Sequence, residues 1–331
     1  MSTCDGFLER ARQTTVLVVG DVMVDAYLWG RVDRISPEAP VPVVQVTQRS
    51  ARLGGAANVA LNLKALGATP IVVSTIGHDE QGTVLEQLFA EQGLRTDGLL
   101  RSPARRTTMK TRIISGHQHV VRVDEEQEDD LSPADEAVQL ERIKALIAAE
   151  KPAVVVLEDY DKGVLTATGI AAIVAAAHAA GAKVAVDPKK RNFLAYHGVD
   201  LFKPNLKELR EGLKIEVAPD DDAGLHAAAT ALRAALGNAL TLITLSERGA
   251  YMHEAHTAHR VPAHRRTIAD VSGAGDTVIA VAALALAQEL PPLHIAQLAN
   301  LAGGLVCEQV GVVPIDPERL RHECQRLQLP G

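Results

Sequence analysis

The stretch Thr15-Val-Leu-Val-Val-Gly20-Asp21 decides the fold. Residues 16–19 are all aliphatic, with no polar residue alternating between them. A strand with one wet face alternates; a strand covered on both faces reads as an unbroken apolar run. Similar runs return at Ile71–Ile76, Val154–Leu157, Lys183–Val186 and Leu240–Thr244. Between them lie longer stretches rich in Ala, Leu, Glu and Gln: Ala56–Leu66, Gly82–Glu91, Pro133–Glu150, Ala167–Ala180 and Ala223–Leu236. This alternation predicts an α/β fold, a mostly parallel central sheet flanked by helices. Such sheets bind ligands at the carboxyl ends of their strands, so the residues just after each run are the candidates for chemistry.

Two segments break the rhythm. Tyr27–Val46 carries Pro37, Pro40 and Pro42 ahead of the alternating segment Val43–Thr47. Thr107–Val123 alternates on both sides of Ser115-Gly116-His117-Gln118, the pattern of a β-hairpin with one wet face. Both are expected as insertions, at about 27–50 and 105–123, forming a small β-sheet lid on a single domain spanning residues 1–331. The acidic run Asp124–Asp130 reads as a solvated loop before a helix capped by Ser132.

Lys and Arg number 34 against 41 Asp and Glu, a net charge of −7, which argues against nucleic acid as a partner. A hydrophobic content of 47% with 23% charged residues is globular, not disordered. Cys4, Cys307 and Cys324 are odd in number and far apart, which favours neither a disulfide scaffold nor a zinc site. The N-terminal residues 1–13 hold no apolar leader core, and the longest apolar run, Val278–Ala287, falls short of the ~20 residues a membrane span needs. The expectation is a cytoplasmic chain with no membrane partner.

The strongest chemical signal is Asp270-Val-Ser-Gly273-Ala274-Gly275-Asp276-Thr277, opening an apolar helix. A Gly-rich turn at a helix start offers free N–H groups and the positive end of the dipole to an anion. A carboxylate beside it, Asp276, is placed to take a proton from a hydroxyl while the turn holds a phosphoryl group. On the loop alone, a plain helix cap explains it equally well. Gly54-Gly55-Ala-Ala-Asn58 is a second candidate, with room for close backbone approach and a side chain suited to a hydroxyl, although on its own a plain strand-to-helix turn explains it better. Asp21, with Asp25 four residues on, suits vicinal sugar hydroxyls or simply caps a turn. Asn205 and Glu208 lie at i and i+3 after Lys203, offering oxygen ligands to Mg²⁺ or forming a capping box. Lys110, Arg112, Arg122, Lys162 and Lys189, if clustered around the crevice, would attract a phosphorylated ligand; single solvated side chains are the plainer reading.

Taken in order, these motifs resemble the ribokinase-like (pfkB) carbohydrate kinase family. Gly54-Gly55-x-x-Asn58 and Asp270–Asp276 resemble its two signatures. Asp187-Pro188-Lys189, Lys203-Pro-Asn205-x-x-Glu208 and Thr244-x-Ser246-Glu247-x-Gly249 lie between them in family order. Gly20–Asp25, Arg34–Val44, Lys110-x-Arg112 and Asp159-Tyr-x-Lys162-Gly163 are further similar to the heptose-7-phosphate kinases of that family. Lys190, Leu245 and Glu247-Arg248 depart from the family pattern on the nucleotide side.

The resemblance implies ATP, Mg²⁺ and a sugar phosphate as ligands, and a homodimer formed through the lid. The reaction it implies is transfer to the C1 hydroxyl of D-glycero-D-manno-heptose 7-phosphate, with a kinase of another sugar or a non-catalytic regulator as alternatives. It implies Asp276 as base and the backbone of Gly273, Ala274 and Gly275 as anion hole. Asp21, Gly54, Gly55 and Asn58 are implied to hold the sugar, and Lys110, Arg112, Arg122 and Lys162 its phosphate. Lys189, Asn205, Glu208, Thr244, Ser246, Gly249, Asn300 and Gly303 are implied on the nucleotide side, with Asp270 at a monovalent-cation (K⁺) site. No H-x-G-H nucleotidyl-transfer motif occurs, so a stand-alone kinase is expected.

Overall fold

A computed structural model describes residues 3–328 apart from 117 and 256; His117, in the expected hairpin turn, lies outside the described residues. Among them a nine-stranded sheet has Val154–Glu158 and Thr15–Gly20 near its centre. To one side follow Thr69–Gly77 and Leu99–Ser102. To the other follow Lys183–Asp187, Leu201–Phe202, Leu240–Thr244, Ala250–Glu254 and Thr257–Val261. All neighbours are parallel except the last two pairings, which are antiparallel.

The unbroken apolar runs have a direct structural reason. Val16 and Val18 pack into one buried cluster, with the helix Ala56–Ala65. Leu17 and Val19 pack into the other, with the helices Pro133–Glu150 and Ala167–Ala179. Each face of the strand is a core face, so no position tolerates a polar residue. The helix Ala274–Ala287 is apolar all round because it is buried almost throughout, from Asp276 to Leu286.

The two interruptions form a second sheet of four strands: Pro42–Gly55, Val22–Ile35, Thr108–Ser115 and Gln118–Glu125. Its strands extend further into the chain than the expected 27–50 and 105–123. Its middle pair is parallel and its outer pairs antiparallel. Ser132 does cap the helix Pro133–Glu150, accepting from Asp135 N.

Two expectations need correction. The acidic run is not simply a solvated loop: Asp124 and Glu125 end a strand, and Glu126 lies between the ammonium groups of Lys110 and Lys162. Cys4 and Cys324 form a disulfide with a Cα–Cα distance of 6.3 Å. It joins the helices Thr3–Ala11 and Pro317–Arg326, a pairing hidden by the sequence separation of 320 residues.

Candidate active site

At the carboxyl ends of the strands opens a cavity of about 840 Å³. Each wall comes from a residue just beyond a strand or at a helix start. Asp187 ends one strand, Lys203 follows the next, and Thr244 ends the third. Asn205 caps the helix Leu206–Leu213, and Ser246 begins a tight turn closed by Gly249. Gly273, Ala274, Gly275 and Asp276 open the buried helix opposite, backed by Asn300 and Gly303 of the helix Pro292–Val306. Every residue expected on the nucleotide side, Lys189 and Glu208 included, lines this one cavity.

Asp276 is 4% exposed, and both its oxygens are held. Asn58 Nδ2 donates to Oδ2 at 2.7 Å, and the Tyr160 hydroxyl donates to Oδ1 at 2.6 Å. Burial pushes Asp276 up to about 6, against those two hydrogen bonds, which pull it down. A carboxylate that is ionised at neutral pH yet strained by burial suits a general base. Gly273 is indispensable here. It caps the helix at φ 77°, and a Cβ on it would stand 2.8 Å from Asn58 Nδ2.

A charge network lies behind the base. Lys203, 2% exposed, sits 2.8 Å from Asp187, and Lys189 sits 2.7 Å from Glu208. Burial works against the charge on Lys189, yet the carboxylates of Asp187 and Glu208 raise its pKa. Lys189 also lies 5.1 Å from the centre of the Tyr160 ring. Glu158 is fully buried beside Asp187, and neither of its oxygens has a hydrogen-bond partner among the described residues. Burial first, then the charges of Asp187 and Asp276, raises its pKa well above the ordinary carboxylate range.

Asn205 and Glu208 realise the capping box: Asn205 Oδ1 accepts from Glu208 N at 2.8 Å, and Glu208 Oε2 accepts from Asn205 N at 2.8 Å. The cap turns both side chains into the cavity wall, so the helix start and a ligand share them. Asp187 and Glu208 present carboxylates there beside an anion-seeking turn. That donor set fits Mg²⁺, which keeps most of its waters and takes few protein ligands.

The sugar-side residues are placed differently from the expectation. Asp21 is 1% exposed, beneath the loop after the strand Val154–Glu158. Its carboxylate accepts from the backbone N–H groups of Tyr160, Lys162 and Val164, at 2.8, 3.1 and 3.1 Å. It therefore shapes the loop that carries Tyr160 and is not open to sugar hydroxyls. Asn58 is fully buried and spends its amide on Asp276. Gly54 and Gly55 end a strand of the smaller sheet and lead into the helix bearing Asn58.

The cations expected around a phosphate are already paired. Lys110 lies 2.7 Å from Glu126, Lys162 lies 2.9 Å from Glu128, Arg112 pairs with Asp25, and the exposed Arg122 pairs with Asp124. Asp270 Oδ1 accepts from Ser272 N and Oγ, and Oδ2 accepts from Gly311 N. Burial resists its charge, but those donors keep its pKa below the ordinary value.

Sequence reasoning missed Tyr160 and the wall His264–Arg266, which line the cavity, and the buried Glu158 behind it. For Tyr160 the signal was present, because it stands three residues past an apolar run, where side chains enter the crevice.

A carboxylate at the mouth of a helix-start anion nest, over a cleft at the strand ends, is equipped for phosphoryl transfer. Residues 13–319 match the pfkB family carbohydrate kinases, and the chain belongs to that family: it is a sugar kinase. The bifunctional protein HldE of Methylobacillus flagellatus is 43% identical over 313 residues, 95% of this chain and 64% of that protein. HldE of Caulobacter vibrioides is 47% identical over 299 residues, 90% of this chain and 60% of that protein. The chain thus spans less than two thirds of the length of these relatives. Phosphofructokinase-2 from Escherichia coli, in complex with potassium, shares the ribokinase-like fold. Its TM-score is 0.78 at 18% identity, over 95% of this chain and 99% of that one. Arabidopsis thaliana ribokinase, complexed with ribose and ATP, gives 0.71 at 18% identity, over 93% and 98%. Among the described residues, no helix is long and apolar enough to cross a membrane.

Proposed function

We propose that this kinase transfers the terminal phosphoryl group of ATP to the C1 hydroxyl of D-glycero-D-manno-heptose 7-phosphate. The product is the β-1,7-bisphosphate, an intermediate on the way to ADP-heptose for lipopolysaccharide cores. The observation that carries the reading is Asp276: a buried carboxylate between the anion turn and the large cavity. Kinship with the HldE proteins supports a heptose as acceptor.

In this reading Asp276 takes the proton of the attacking hydroxyl as the new O–P bond forms. The N–H groups of Gly273 and Gly275 serve the transferring phosphoryl, and that of Ala274, which donates to the Val271 carbonyl at 3.3 Å, has to leave it to join them. Lys189, Thr244, Ser246, Gly249, Asn300 and Gly303 hold ATP in line with the acceptor. Asn205 and Glu208, with Asp187 beside them, would hold Mg²⁺ through water, and the ion would supply charge neutralisation for the phosphates. Asp270, kept ionised, is assigned to K⁺.

The chain is read as one kinase domain, with the smaller sheet as a lid. The outer face of that sheet leaves Val121 and Val123 49% and 46% exposed, which supports a homodimer built through it. A cytoplasmic location follows from the substrates.

ADP release tests the reading, with heptose 7-phosphate set against unphosphorylated heptose, ribose, fructose and fructose 1-phosphate. Turnover highest with heptose 7-phosphate is expected. A higher kcat/KM with any of the others would replace the substrate, and no ADP with any sugar would leave a non-catalytic binder.

A further inference from the structure

The basic residues around the cleft fall into two groups that differ in how far they are neutralised. Lys110 and Lys162 share Glu126, at 2.7 and 3.0 Å. Asp124 lies 3.5 Å from Lys110, and Glu128 lies 2.9 Å from Lys162. With Arg122 on Asp124, three cations meet three carboxylates and each cation is paired. A phosphate arriving there finds every cation paired and has to displace Glu126.

The second group is different. Arg112 pairs with Asp25, but Arg52 donates only to the Val312 carbonyl, at 3.1 Å, and has no carboxylate partner among the described residues. Both guanidinium groups pack against one ring, 5.7 and 5.4 Å from the centre of Tyr27. The strand register sets Arg52 opposite Asp25, and Arg112 opposite Tyr27 on the other neighbour. All four side chains therefore share one face of the smaller sheet. At Arg52 that face meets the segment that packs on the start of the Asp276 helix. Arg52 reaches Val312, and Val312 lies 3.2 Å from where a Cβ of Gly273 would stand, at the start of the helix that carries Asp276.

We infer that Arg52 and Arg112, stacked on Tyr27, form the subsite for a phosphomonoester at the far end of the sugar. The assignment rests on the phosphorylated-sugar reading above and changes where that phosphate goes. The two guanidinium groups have one directly paired carboxylate, Asp25, with Asp270 acting on the same Tyr27 from further off. Planar guanidiniums bind phosphate oxygens two at a time, and stacking pre-sets their orientation. The cation–ring contact keeps Arg52 in place before any ligand arrives.

The test is titration calorimetry of nucleotide-free protein with heptose 7-phosphate and, separately, with unphosphorylated heptose, alongside KM values for both substrates. Arg52→Gln is expected to weaken heptose 7-phosphate binding at least tenfold, leave unphosphorylated heptose unchanged, and keep the KM for ATP. Arg52→Lys, which retains the charge without the planar fork, is expected to fall between. Tyr27→Leu is expected to weaken the phosphorylated sugar several-fold with both arginines intact. The inference is overturned if Arg52→Gln affects both sugars equally or neither, or if Lys162→Gln alone selectively weakens the phosphorylated one. If the wild type titrates a different sugar phosphate, the proposed substrate falls; the same comparison with that sugar still decides the subsite.

Discussion

The phenol of Tyr160 donates a 2.6 Å hydrogen bond to Oδ1 of Asp276, and the backbone N–H of the same tyrosine donates to Asp21 at 2.8 Å. One residue thus connects a buried carboxylate that shapes a loop to a buried carboxylate positioned for chemistry. The bond stabilises the charged form of Asp276, opposing the burial that pushes its pKa up to about 6. Tyr160→Phe removes that support and leaves burial in command. The acid limb of kcat/KM, expected near pH 6 in the wild type, should move up by about one pH unit, the scale of a hydrogen bond to a charge. A pH–rate profile checks this. A limb that stays in place would separate Tyr160 from the ionisation that controls the rate.

Asp276→Asn separates catalysis from stability. The amide cannot accept a proton from the sugar, so kcat should drop by several orders of magnitude while ATP still binds. Stability should move the other way. Because folding raises the pKa of Asp276 from 3.8 to about 6, the folded state favours its protonated form. The contribution to stability is fully present below pH 3.8 and is lost as pH rises through about 6. A neutral Asn avoids that loss. The variant should match the wild type at the acid end and exceed it above pH 6 by up to about 3 kcal/mol. Denaturant unfolding at both ends of the range measures the difference. Equal stability throughout would mean that Asp276 is not strained by its burial.

How far the sequence could be read depended on where the partners of each residue lie. Runs such as residues 16–19 announce doubly covered strands because both neighbouring layers leave their mark on consecutive residues. The antiparallel pair Ala250–Glu254 and Thr257–Val261 went unnoticed because it mixes His253, buried, with polar neighbours at the sheet edge. The residues lining the cavity were legible because they sit just past strand ends. Asp21 shares that position, yet the partners it takes are backbone amides of residues 160–164, which no side-chain pattern reveals. The acidic run shows its charge in the sequence, but the link from Glu126 to Lys162 depends on how a strand of one sheet and a loop of the other come together.

Two glycines of the anion turn should respond differently to a methyl group. Gly273 has φ 77°, and its Cβ would crowd Asn58 Nδ2 at 2.8 Å; Gly275 has nothing nearer than Asp187 Oδ2 at 3.8 Å. Gly273→Ala should lose about 2 kcal/mol from the left-handed backbone alone. It should also lower kcat, because Asn58 is pushed off Asp276. Gly275→Ala should melt within a degree or two of the wild type. Thermal melts of the pair provide the check, and equal losses would remove the steric argument for Gly273.

Lys203 provides a last test, of the charge network behind the base. Lys203 is 2% exposed and its ammonium group lies 2.8 Å from Asp187, whose neighbour Glu158 is a buried carboxyl with no hydrogen-bond partner among the described residues. Lys203→Met fills the space but leaves Asp187 facing Glu158 with only Lys189, 3.9 Å away, to offset its charge. Breaking one side of a buried pair costs about 3–5 kcal/mol, because the other charge stays behind. That cost should depend on pH in a defined direction. Lys203 opposes the raised pKa of Glu158, so without it the folded state holds the Glu158 proton more tightly and the deficit should shrink as the solution is acidified and widen as pH rises. Urea midpoints for Lys203→Met and wild type across that range test it. A deficit independent of pH would show that Lys203 contributes by packing rather than by its charge.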